Sequence, residues 1–391
     1  MVGPPPSCEE ESEENMPPMA AMNDERTTLD QYVRSRQVNL ARSLSGRAKI
    51  YLDTRFWIIA RDVASGVCTG AVEQELLLLL RRGVADGKMF CPISEGIFVE
   101  LMKQKNTSSR RLGTTRLIDE LSLGVSITTH QSRIATEIAH FIYSTCGENN
   151  IYDVEELVWT KLSYALGYVH PSMPGREKNS ILQLQKSFFD MMWEIPLSKM
   201  VGMVGDERSA RDSRLPDRVK EMNANIAAHA HTLRSFQQTY RSEIAGAAEV
   251  CSHVAADVMC AIADRTIGSS PPKGSEQWEN TRHTFRNLLI AVFEKPIVRR
   301  ALRTMHIYAC LHANLRWNKG RQLEVNDLFD FEHATAALAY CDAFFTDRSL
   351  CALTTARNVS LDQINNCRVT AHVDQAVNVL KEFLNRNHNR G

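Results

Sequence analysis

The sequence predicts an α/β fold, a parallel sheet sandwiched by helices and interrupted by an all-α helical insertion. Three observations predict it. Residues 45–130 alternate short apolar runs with helical periods, the strand–helix–strand order of a parallel sheet with right-handed crossovers. Residues 131–322 carry helical periodicity only, and from 323 to 391 the α/β pattern returns.

Residues 1–28 hold three consecutive prolines and the run EEESEE, a low-hydrophobicity acidic tail expected to be disordered. A polar helix is expected over 29–44. The stretch 49–53 (KIYLD) reads as the first strand, ending on Asp53-Thr54. Next comes a helix over 71–82, with Arg81 and Arg82 in its last turn and Gly83 as its stop. A strand over 89–92 runs into Ser94, an N-cap for a helix reaching 103, with Glu100 two turns in. A helix over 112–121 and a strand over 125–128 complete the first half. The insertion reads as helices over 134–143, 154–166, 181–193, 219–263 and 278–317, the last broken at Pro296. After 323, a helix with a capping start at Asn326 or Asp327 leads to the apolar AFF and then to Thr346-Asp347. A strand over 368–370 and a helix over 373–384 close the chain.

Composition limits the function classes. The 391 residues carry 46 Lys+Arg and 46 Asp+Glu, so no global field draws the chain to nucleic acid or an anionic membrane. The ten cysteines include no Cys-x-x-Cys pair, which predicts reduced thiols in a cytoplasmic protein. The amino terminus is acidic and proline-rich, so no signal peptide is expected, and the longest apolar run, 76–80, is too short to span a bilayer. Walker-type phosphate loops, Gly-x-Ser-x-Gly elbows and His-Glu-x-x-His zinc helices are absent from the sequence.

Carboxylates carry the chemistry. Asp53 and Asp347 each follow an apolar strand, so a parallel sheet places both at its C-terminal edge. Glu100 and Asp330 stand early in helices, from which side chains reach over that edge. Converging carboxylates repel unless a cation neutralises them, and Mg²⁺ or Mn²⁺ with oxygen ligands is the natural occupant. Asp342 either joins the ligand set or orients a neighbour. His333, one turn after Asp330, either holds a water or phosphate or packs in the core. Asp327 and Glu95 read as a helix cap and a dipole partner. Two basic groups offer substrate contacts: Lys103, Lys105, Arg110, Arg111 and Arg116, and then Arg299, Arg300, Arg303, Arg316, Lys319 and Arg321.

These segments resemble PIN domains, the fold of many metal-dependent single-strand ribonucleases. YLDTRFW matches the family's first motif on Asp53, with Arg55 where the family often has Asn or Ser. PISEGIFVEL matches the second, on Ser94 and Glu100. Asp330, sixteen residues before Thr346, matches the third, and Asp347 the fourth. The likeness covers about 45–130 and 323–391, less than half of the chain. It implies a Mg²⁺- or Mn²⁺-dependent endonuclease acting on RNA, with Asp53, Glu100, Asp330 and Asp347 as ligands and Thr346 orienting one of them. The insertion would then select substrate, dimerise, bind a protein or gate the active edge. Single-stranded DNA is the alternative substrate. The competing expectation is an inactive PIN-like scaffold in which Arg55 closes the site with a salt bridge.

Overall fold

The computed structural model describes residues 27–103, 108–147, 151–204, 214–231 and 233–385. Residues 1–26 of the expected acidic tail, and Lys105, lie outside the described residues. Among the described residues there are six strands: β1 (Ala48–Leu52), β2 (Met89–Phe90), β3 (Val125–Ile127), β4 (Trp159–Lys161), β5 (Ala343–Phe345) and β6 (Arg368–Thr370). Four of them form an all-parallel sheet in the order β2-β1-β5-β6. Ile50, Tyr51 and Leu52 stand opposite Ala343, Phe344 and Phe345, and the last two strands pair Ala343–Phe345 with Arg368–Thr370.

Alternation along the strands sends successive side chains to opposite faces. Tyr51 and Phe344 make an edge-to-face pair at 5.5 Å on the side of helix Val325–Tyr340, where Tyr51 meets His333. Phe345 meets Phe56 of helix Thr54–Ala64 at 5.5 Å on the other side. Helices thus cover both faces, which is why Ile50–Leu52 and Ala343–Phe345 are buried on both sides rather than alternating with exposed polar residues.

One continuous apolar core runs from the sheet into the helical insertion. Helix Phe236–Ile267 packs on Glu276–Val292, Arg303–Trp317 and His130–Thr145. Among the described residues it is the one helix long and apolar enough, by length and composition, to cross a membrane, and those contacts use it as a core helix. The insertion is therefore built onto the α/β unit, not tethered beside it.

Four expectations change. The stretch 219–263 is not one helix: Leu215–His229 and Phe236–Ile267 are separate, Ser235 capping the second by accepting from the Gln238 amide. The stretch 125–128 does not extend the parallel sheet: β3 pairs antiparallel with β4 and touches the sheet region through the Ile93–Ser126 bridge. The stretch 154–166 is not one helix, so the insertion is not wholly α-helical. It holds the short helix Val154–Leu157, strand β4 and a 3-10 turn, because Trp159 and Thr160 suit a buried strand. Gly83 does not end its helix, which continues to Ala85; it lies where a Cβ would meet the buried Met89 side chain at 2.5 Å.

A buried carboxylate joins the halves. Glu137 accepts from the Thr304 amide at 3.1 Å, the Thr304 hydroxyl at 2.5 Å and the Tyr340 hydroxyl at 2.5 Å. It thereby caps the helix Arg303–Trp317 and anchors the end of Val325–Tyr340. Burial pushes its pKa up despite these three donors. Glu137→Ala strands all of them in the core, and we predict a loss of about 2–4 kcal/mol in urea denaturation. Glu137→Gln keeps an acceptor and is expected to lose less; equal stability for wild type and Glu137→Ala would contradict the role.

Candidate metal centre

The parallel register delivers two aspartates to one edge. After β1 the chain continues in register, the Asp53 amide donating to Phe345 O at 3.0 Å. Asp53 then caps helix Thr54–Ala64 by accepting from the Phe56 amide at 3.1 Å. Asp347 repeats the arrangement after β5, capping Arg348–Thr355 with a 2.8 Å bond from the Leu350 amide. Both residues hold extended backbone at the strand-to-helix turn, the ordinary N-cap conformation.

Glu100 reaches the same edge from helix Glu95–Lys103. Its Oε2 accepts from the Thr54 hydroxyl, and its Oε1 lies 3.4 Å from His333 Nε2. On its other nitrogen His333 meets the Tyr51 hydroxyl at 2.8 Å, and that hydroxyl meets Ser94 Oγ at 2.6 Å. A buried chain of carboxylate, imidazole, phenol and hydroxyl results. It needs Gly96, since a Cβ there would lie 2.7 Å from the His333 ring. Ser94 thus spends its hydroxyl on Tyr51, not on capping its own helix.

Electrostatics reflect the crowding. Burial raises Asp53 from 3.8 to about 6, against the Phe56 amide, Thr346 and His333, which favour the ionised form. Asp330, on the second turn of Val325–Tyr340, is raised to about 7 by burial and then by the charge of Asp347. Burial opposes ionisation of Glu100 too, but His333 and Thr54 outweigh it and its pKa falls. His333 is raised: burial works against its charge, yet Glu100, Asp53 and Asp330 surround it with negative potential.

Other expected site residues fall elsewhere. Asp342 precedes β5 and therefore sits at the opposite edge, accepting from the Lys49 amide at 2.8 Å and pairing with its ammonium at 3.7 Å. Asp327 forms a capping box with Glu324 and binds Arg321. Glu95 accepts from the His130 amide, at the start of helix His130–Thr145. Arg316 pairs with Glu243, and Lys319 stands beside Trp317 at the edge of the insertion. Arg111 is buried in helix Ser108–Ser122 and Arg110 is exposed on it. From the first basic group Lys103 acts on the acids, lowering Glu100 while its ammonium lies 3.5 Å over the Phe329 ring. Arg55 does not close the site: it is exposed, donates to Ala371 O at 2.9 Å and lies over Phe56. Tyr51, Thr54 and Gly96 escaped sequence reasoning. The signal for Tyr51 was its alternation with Ile50 and Leu52, which turns it toward the opposite face.

The donor chemistry fits a hard divalent cation: oxygen ligands, with His333 the main positive group among them. Thr346 Oγ1 is buried without a hydrogen-bond partner, close enough to Asp53 to favour its ionised form. A closed shell is not formed: among the described residues no three His, Cys, Asp or Glu side chains are spaced to ligate one ion directly. The arrangement fits an ion held partly through water, as Mg²⁺ commonly is.

A sign follows for pH. Asp53 and Asp330 bind protons more tightly folded than unfolded, so the folded state loses stability as pH rises from 3.8 through about 6 and about 7. Without divalent ions, Asp330→Asn is predicted to melt with wild type at pH 4 and about 2–4 °C above it at pH 8. A melting difference that does not grow with pH would contradict the crowding.

Comparison of the chain with protein-family models, with curated proteins and with solved structures gives no match.

Proposed function

We propose that the protein is a PIN-like, divalent-metal-dependent endonuclease acting on single-stranded RNA. One observation carries this furthest: Asp53 and Glu100 from one end of the chain share an edge with Asp330 and Asp347 from the other, and among the described residues no arginine forms an ion pair with them. Mg²⁺ or Mn²⁺ supplies Lewis acidity toward water and phosphoryl oxygens when bound. Asp53 and Asp347 would hold the ion from rigid N-cap positions, with Glu100 and Asp330 completing the set directly or through water. Thr54 fixes one oxygen of Glu100, and the Ser94–Tyr51–His333 chain fixes the imidazole that faces the other. Arg55 and Arg348, both exposed in the first turns of the capped helices, are placed to bind backbone phosphates on either side of the acids. The choice of RNA rests on the motif resemblance. The nine described cysteines are all unpaired, which supports a reducing, cytoplasmic setting.

A second reading, an inactive scaffold, draws on a different observation. Asp53 and Asp347 already cap helices, Glu100 already pairs with His333, and no direct ligand shell is formed. Cleavage separates the two. With Mn²⁺, wild type is expected to cut labelled single-stranded RNA in preference to matched DNA. Asp53→Asn, which keeps an N-cap side chain, should slow this by about 100-fold or more with an unchanged circular dichroism spectrum. Equal cleavage by the variant would sink the nuclease assignment.

A further inference from the structure

The arginines at 299, 300 and 303 do not serve the acidic edge. They line a separate cavity of about 690 Å³ together with Phe236, Tyr240 and His306, a volume ordinary for small-ligand sites. Ala339 also lines it; Asp330 lies nine residues earlier on the same helix, roughly 13 Å away along the axis at ~1.5 Å per residue. The chain breaks at Leu302 between helices Pro296–Ala301 and Arg303–Trp317, which gathers the three arginines at one junction. Arginines in the last turn of a short helix often do no more than complement its dipole. Here the setting goes further. The lining contains three arginines and no Asp or Glu. Two acids close to this wall are already engaged, Glu155 with Arg303 at 2.7 Å and Glu294 with Arg241 at 2.5 Å.

The Arg299 Nε donates to Phe293 O at 3.1 Å and its guanidinium lies 5.3 Å over the Tyr240 ring, leaving its terminal nitrogens without a partner among the described residues. Arg300 is exposed and has none. Arg303 is braced by Glu155 and Ala339 O, but its Nε is buried and unpartnered. The Tyr240 hydroxyl bonds His306 Nδ1 at 2.8 Å, and the two rings meet edge to face at 5.7 Å. Burial, helped by Arg299, keeps His306 neutral, its pKa near 4. Two uncompensated guanidinium groups beside a rigid aromatic wall match a phosphate linked to a planar ring.

We propose that this cavity binds a small phosphorylated ligand of mononucleotide size, its phosphate on Arg299 and Arg300 and its ring against Phe236, Tyr240 and His306. Calorimetry on the full chain without divalent ions tests it, with adenosine monophosphate, adenosine, inorganic phosphate and a short single-stranded RNA as probes. Adenosine monophosphate is expected to bind saturably and at least about tenfold more tightly than adenosine or phosphate alone. Arg300→Glu should weaken it by about tenfold or more with unchanged melting, and Arg299→Ala should act in the same direction. Asp53→Asn should leave it intact, which separates this cavity from the acidic edge. Equal binding of adenosine and its monophosphate, equal binding of phosphate alone, wild-type affinity in both arginine variants, or binding of RNA but not of the mononucleotide would each overturn the proposal.

Discussion

The parallel pairing of Ala48–Leu52 with Ala343–Phe345 is the constraint on which the acidic edge depends. These strands lie almost at opposite ends of the described chain, and closing so long a loop is favourable only because the paired residues Ile50–Leu52 and Ala343–Phe345 are fully buried under helices. Their register fixes more than the sheet. Each strand ends in a turn whose aspartate caps the following helix, so the pairing that aligns Leu52 with Phe345 also sets Asp53 and Asp347 at one edge. A slip of one residue would reverse every side chain and remove Tyr51 from His333.

Burial and charge then work against each other at that edge. N-capping favours ionised aspartate, yet Asp53 is pushed up to about 6 because it is shielded from water. Asp330 is held higher still, in part by Asp347. The buried His333 partly offsets this, its own pKa raised by the acids around it against the opposing effect of burial. A site with this balance gains from any added cation or proton, and the fold supports it through Thr54, Tyr51 and Gly96. Glu137 performs a quieter version of the same task, satisfying a helix start and a tyrosine from inside the core.

Much of this was legible in the sequence because the signals are local. An apolar run ending at an aspartate marks the end of a strand, and both strand ends are where they were expected, whereas the helices Thr54–Ala64 and Arg348–Thr355 that follow them were not anticipated. What escaped depends on tertiary partners. Asp342 and Asp347 are five residues apart, but the strand between them carries them to opposite edges. Ser94 looked like a cap and instead completes the Tyr51 pair. The stretch 154–166 has helical periodicity, and only the neighbouring β3 makes a strand of its centre. The insertion arginines looked like one basic face. The break at Leu302 gives 299–303 a cavity of their own, while Arg316 is taken by Glu243.

Manganese binding, followed by electron paramagnetic resonance on the full chain, bears most directly on the joint site. Asn at either 53 or 347 keeps a capping side chain, so each variant should fold. A site shared by the two ends of the chain predicts that wild type binds Mn²⁺ and that Asp53→Asn and Asp347→Asn each weaken it by about tenfold or more. Absence of binding by wild type, or a loss in only one of the two variants, would contradict a metal centre assembled from both halves.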